Sequence, residues 1–194
     1  MITPTLRQQS WERSARGEYP SVLIDDEYRE CVCFLCVENE KRKVENATGF
    51  FVSVPLNEKS FVTYLVTARH VVGETQKPLW AKINLNNGRV RYQRVPQNNW
   101  ICHPSTDVAA IPFHKKDGDR FMALWENMLA NDQYLNQYPR VHPGDDIFFV
   151  GLFAQWAGEN QAEPIIRRGS VALGMRQITL KTGKIDAYLV ETKS

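Results

Sequence analysis

The most constraining feature of this chain is a rhythm of short apolar runs broken by turn residues. The runs fall at 31–38, 48–54, 61–67, 79–84, 89–94, 107–113, 146–153, 165–173, 177–181 and 185–191. Turn chemistry separates them: Asn86-Asn87-Gly88, Asp117-Gly118-Asp119, Pro143-Gly144-Asp145 and Thr182-Gly183. Many short strands with frequent turns predict an all-β sandwich or barrel. One segment departs from this texture. In Arg120 to Asn131, RFMALWENMLAN, the apolar residues Phe121, Leu124, Met128 and Leu129 fall at helical spacing. That spacing predicts a short helix linking two β units.

The size of the chain, 194 residues, suits one domain or one compact two-lobed unit. Charge is nearly balanced, 24 basic residues against 22 acidic. The cluster Lys41-Arg42-Lys43 is flanked by acidic residues and Arg167-Arg168 stands alone, so no nucleic-acid footprint is expected. No run of 18 apolar residues exists, which argues against a membrane partner. The opening, MITPTLRQQSWERSARGEYP, lacks an apolar signal core and reads as a polar arm over 1–21. A cytoplasmic location is therefore expected.

Four cysteines occur, Cys31, Cys33, Cys36 and Cys102, three of them in the run CVCFLCV. In an extended strand Cys31 and Cys33 share a face and Cys36 points to the other. Such near neighbours rarely meet disulfide geometry. Paired CxxC knuckles are absent, so buried free thiols are expected, with no metal and no cofactor. A metal site built from Cys102, His103 and the cysteine run is a minor alternative.

The chemistry points to YLVTARHVV, residues 64–72. An apolar strand ends at Thr67-Ala68, and His70 follows at the turn, near a surface. The small Ala68 lets the chain turn tightly before it. A histidine acting as a base needs a carboxylate to accept its Nδ1 proton and steady the imidazolium. Asp107, in HPSTDVAAIPF, is the best candidate. It stands where polar residues give way to an apolar strand, a position that suits half burial.

ATGFFVSV and YLVTARHVV together resemble the histidine segment of trypsin-like (chymotrypsin-fold) serine peptidases. STDVAAIPF resembles that family's aspartate segment, and GDDIFFVGLF, 144–153, resembles the opening of its second barrel. The resemblance covers residues of roughly 30 to 192. It implies a chymotrypsin-like double β-barrel with one short helix between barrels. It also implies that His70 is general base and acid and that Asp107 is its orienter.

The third member of such a triad is missing. The family serine lies in a G-x-S-G segment that also supplies oxyanion donors. None of Ser10, Ser14, Ser21, Ser53, Ser60, Ser105, Ser170 and Ser194 is followed by glycine. Ser170 alone is preceded by one, in RRGSVALG, and it lies in a strand-like run. The expected organisation is a complete first barrel over 22–113, a connecting segment with the helix over 114–145, and a truncated second barrel over 146–194. The expected function is a serine endopeptidase domain acting on protein or peptide, with the chain ending before the nucleophile. Another chain is one way to complete the second barrel. The alternative is a non-catalytic module of the same fold that binds a peptide or protein, with Trp100 or Trp156 contributing.

Overall fold

A computed structural model describes residues 24–40, 42–73, 77–131, 141–153, 156–158, 160–180 and 183–192. The polar arm expected over 1–21 lies outside the described residues, as does Thr182 of the last turn. The architecture is mostly β, in two sheets. One helical turn, α1 (Glu27–Glu30), precedes a run of strands: β1 (Val32–Asn39), β2 (Arg42–Asn57) and β3 (Ser60–Thr67). A second short helix, α2 (Arg69–Gly73), follows β3. Then come β4 (Leu79–Asn84), β5 (Val90–Val95), β6 (Ile101–Cys102), β7 (Ala109–Pro112) and β8 (Leu124–Trp125). The second sheet holds β9 (Asp146–Gly151), β10 (Ile165–Leu180) and β11 (Gly183–Thr192).

The first sheet runs in the order β5-β4-β1-β2-β3-β7-β6, with β8 added to β2. Alternation along the strands builds its core. Cys33 and Leu35 of β1, Phe51 of β2, Leu65 of β3, Leu79, Ala81 and Ile83 of β4 and Ile111 of β7 all enter one cluster. The rings of Phe51 and Phe121 stack with centroids 4.0 Å apart, and Phe113 packs beside both. Gly49 is opposite Cys33 in the ladder. A Cβ there would sit 2.7 Å from Leu65 Cδ1 and 3.4 Å from Cys33 Sγ, so only glycine lets these side chains close over β2. Phe34 and Cys36 are buried as well, on the opposite face, where β9 packs against β1.

Three expectations need correction. Among the described residues the first barrel is not closed: β5 and β6 end the pairing path and do not pair with each other. The helix expected over 120–131 shrinks to one 3-10 turn at Glu126–Met128, after the short strand β8. Here distant partners outweigh periodicity. Phe121 is drawn into the core, Met122 N–H donates to Glu30 O, and Val52 and Ser53 pair with Leu124 and Trp125. The runs 165–173 and 177–181 are not two strands but parts of the single strand β10. Register shifts at 171/173 and 173/176 let the strand pass Gly174 without ending, as an irregularity rather than a turn.

The second sheet has the order β11-β10-β9 and three strands among the described residues. Hydrogen bonds tie it to the first. Leu152 N–H donates to Thr48 Oγ1 at 2.9 Å, and Arg29 Nε donates to Pro164 O at 2.8 Å. Asn84 and Ala162 exchange two bonds, 2.9 and 2.7 Å long. Cys31, Cys33 and Cys36 are free and buried, whereas Cys102 is free but exposed, contrary to expectation. Burial pushes the Cys36 thiol up to about 12, with Glu45 adding to the effect. Among the described residues no helix is long and apolar enough to cross a membrane.

Candidate active site

Two strands deliver the site to one end of the first sheet. Thr67, the last residue of β3, pairs with Ala109, the first of β7. His70 lies three residues past Thr67 and Asp107 two before Ala109, so both leave the same end of an antiparallel ladder. Thr67 is buried, and its hydroxyl donates to Thr48 O at 2.8 Å, which holds that end of β3. Ala68 O then accepts from Val71 N–H, starting α2. Val71 and Val72 pack on the core, which leaves Arg69 and His70 on the exposed side of the turn.

The two side chains meet. His70 Nδ1 lies 2.6 Å from Asp107 Oδ2, and the backbone N–H of His70 donates to Asp107 Oδ1 at 2.9 Å. Both carboxylate oxygens are thus used by one residue, which fixes the plane of the imidazole against the turn that carries it. The side-chain bond from His70, then its backbone bond, holds the Asp107 carboxyl below the usual carboxylate range. A carboxylate only accepts, so Nδ1 carries the proton and Nε2 is the ring's free acceptor. The pair is open to water: the side chains are 55% and 56% exposed. Asp107 is therefore not half buried as its position suggested. It sits in the exposed loop 103–108, ahead of the ladder rather than within it.

Sequence reasoning gave two neighbours, Arg69 and His103, no part in this pair. Arg69 Nη1 donates to His103 O at 3.0 Å and to Pro104 O at 3.3 Å. His103 Nδ1 accepts from the N–H groups of Ser105 and Thr106, at 3.3 and 3.0 Å. The turn-rich string His103-Pro104-Ser105-Thr106 was the available signal, since such strings cap their own backbone.

Among the described residues no serine joins the pair. Ser53 is buried and shares a 3.0 Å bond with Thr63, and Ser60 opens β3. Ser170 is a half-buried ladder residue of β10 between Asp146 and Glu191. Among the described residues none of these, nor Ser105, is hydrogen-bonded to His70. Nor do three His, Cys, Asp or Glu side chains converge among the described residues as a metal would require. Trp100 packs against the core, whereas Trp156 is half exposed and donates to Glu163 Oε2 at 3.2 Å.

The fold has a solved counterpart. The chain is similar to the crystal structure of the MamO protease domain from Magnetospirillum magneticum, in its apo form. The match covers 86% of this chain and 72% of that one, with a TM-score of 0.54 and 15% identity. The fold is that of a protease domain. This is the chymotrypsin-like double β-barrel architecture, here with its sheets unclosed and its second barrel reduced to three described strands. No protein-family model and no curated protein matches the chain. At that identity the likeness is one of fold, and the chemistry rests on the residues themselves.

Proposed function

We propose that this chain is the His- and Asp-bearing part of a trypsin-like serine endopeptidase domain that hydrolyses peptide bonds. The observation that carries this reading is the double hydrogen bond of Asp107 to His70 at the end of adjacent strands. In the proposed reaction His70 Nε2 takes the proton of a serine hydroxyl as its oxygen attacks the peptide carbonyl. Asp107 holds the tautomer and stabilises the imidazolium. The same proton then passes to the leaving amine, and water repeats the sequence on the acyl intermediate. The nucleophile and the oxyanion donors come from outside the described residues. The openness of the pair supports this, because a further surface is needed to shield the reaction from water.

A second reading is favoured by the lack of any described serine on His70. In it the domain is a non-catalytic module that holds a peptide or protein in the cleft. Both readings take a protein partner, in the cytoplasm, and neither needs nucleic acid, membrane or cofactor.

One experiment separates them. The native protein is isolated from its source cells, its intact mass is measured, and it is treated with a fluorophosphonate. Under the first reading a serine in a G-x-S-G segment is labelled, and His70→Ala lowers labelling by on the order of 10⁴-fold or more. A native chain with the mass of these 194 residues and no labelling overturns that reading and leaves the binding module.

A further inference from the structure

Every residue of the loop 103–108 is exposed, so apolar packing does not set its shape. Yet this loop must place Asp107 to within a few tenths of an ångström for both of its bonds to His70. Hydrogen bonds do that work. His103 N–H donates to Val108 O at 2.8 Å and closes the loop at its base. His103 Nδ1 receives two consecutive backbone N–H groups, those of Ser105 and Thr106, the residues that lead into Asp107. Arg69, beside the histidine in α2, grips the other side of the loop through the carbonyls of His103 and Pro104.

From this geometry we infer that His103 is a positioning residue for Asp107, and through it for His70. The inference rests on the reading of His70 and Asp107 as base and orienter. An imidazole nitrogen used in this way mimics the side-chain oxygen of asparagine or aspartate in a turn. It differs in one respect. Nδ1 accepts only while it is unprotonated, so a second proton on the ring removes both bonds at once. Arg69 and His70 from α2, Asp107 within the loop and Cys102 immediately before it in β6 surround the ring's own segment.

The test is proton NMR and amide exchange on the intact chain, compared with His103→Ala and His103→Asn. It needs neither nucleophile nor substrate, so it stands whatever the fluorophosphonate experiment shows. In wild type the amides of Ser105 and Thr106 are protected by their bonds to His103 Nδ1. His103→Ala speeds exchange of both amides about tenfold, the cost of an unmade bond, and broadens the His70 Nδ1–H signal. His103→Asn restores the bonds with a side-chain oxygen, so protection and the His70 signal survive. The inference is overturned if His103→Ala leaves the amides and the His70 signal as in wild type. It is equally overturned if His103→Asn behaves like His103→Ala, since the ring and not its acceptor would then matter.

Discussion

Asp119 shows how much one side chain can organise. Its side chain is fully buried and receives Arg91 Nε at 2.5 Å, a second Arg91 nitrogen, and the N–H of Lys116 at 2.8 Å. Burial alone would raise its carboxyl; the hydrogen bonds from Arg91 and Lys116 outweigh that and hold it below the usual range. The sign of the consequence is set by this lowering. The group's stabilising contribution is whole above the ordinary carboxylate value of about 3.9 and is lost as pH falls through the lower folded value. Asp119→Asn is expected to cost about 3 kcal/mol at neutral pH, because Arg91 keeps its charge without its partner. Urea melts at neutral and acid pH check this. The gap between the two chains should narrow on acidification, and a constant gap would remove Asp119 as its source. From the sequence this residue reads only as part of the turn Asp117-Gly118-Asp119. Nothing local in Asp117-Gly118-Asp119 shows that Arg91 waits opposite.

At the scale of elements, the second sheet ends in an exposed edge. β11 forms one of its edges, and Leu189 and Val190, neighbours that point to opposite faces, are 47% and 41% exposed. An edge strand with bare apolar residues on both faces is a site for further pairing. In the isolated chain, amides of β11 that do not bond to β10 should exchange far faster than the core amides of β1 to β3. Hydrogen exchange followed by mass spectrometry reads this directly. Slow exchange throughout 146–191 in a monomer would mean that the half-barrel closes in another way. The apolar runs and turn residues that identified most strands are local features and need no partner to be seen. The segment 120–131 misled for the complementary reason. Its apolar spacing fits a helix, but its residues serve separate surfaces: Phe121 the core, Leu124 the β2 ladder, and Trp125 an edge-to-face contact with Phe61, 5.3 Å between centroids.

For the whole molecule, the two sheets are unequal. The main core cluster is drawn from residues 33 to 121, all in or beside the first sheet. The second sheet leans on it through a few bonds, among them Leu152 N–H to Thr48 Oγ1. Thr48 also accepts from Thr67 through its carbonyl, so one residue joins the end of the histidine's strand to the end of β9. Thr48→Val keeps the shape and removes the hydroxyl acceptor. It is expected to destabilise the second sheet by about 1 kcal/mol while leaving the first nearly unchanged. Guanidinium unfolding with regional exchange readout should show β9 to β11 released earlier than in wild type. Simultaneous loss of both sheets would show instead that they unfold as one unit.

Local pattern was sufficient for the β class, most of the strands and most of the turns, and it named His70 and Asp107, two side chains that the fold brings together. Each of these follows from short-range backbone geometry or from a residue's position at the end of an apolar run. It did not reach the open pairing of the first sheet, the continuity of β10, the exposure of Asp107 or the grip of Arg69 on its loop. Those depend on which distant groups a backbone N–H, a carbonyl or a charge finds as partners. Only the folded chain settles that, because the partners lie tens of residues away and are selected by packing rather than by spacing.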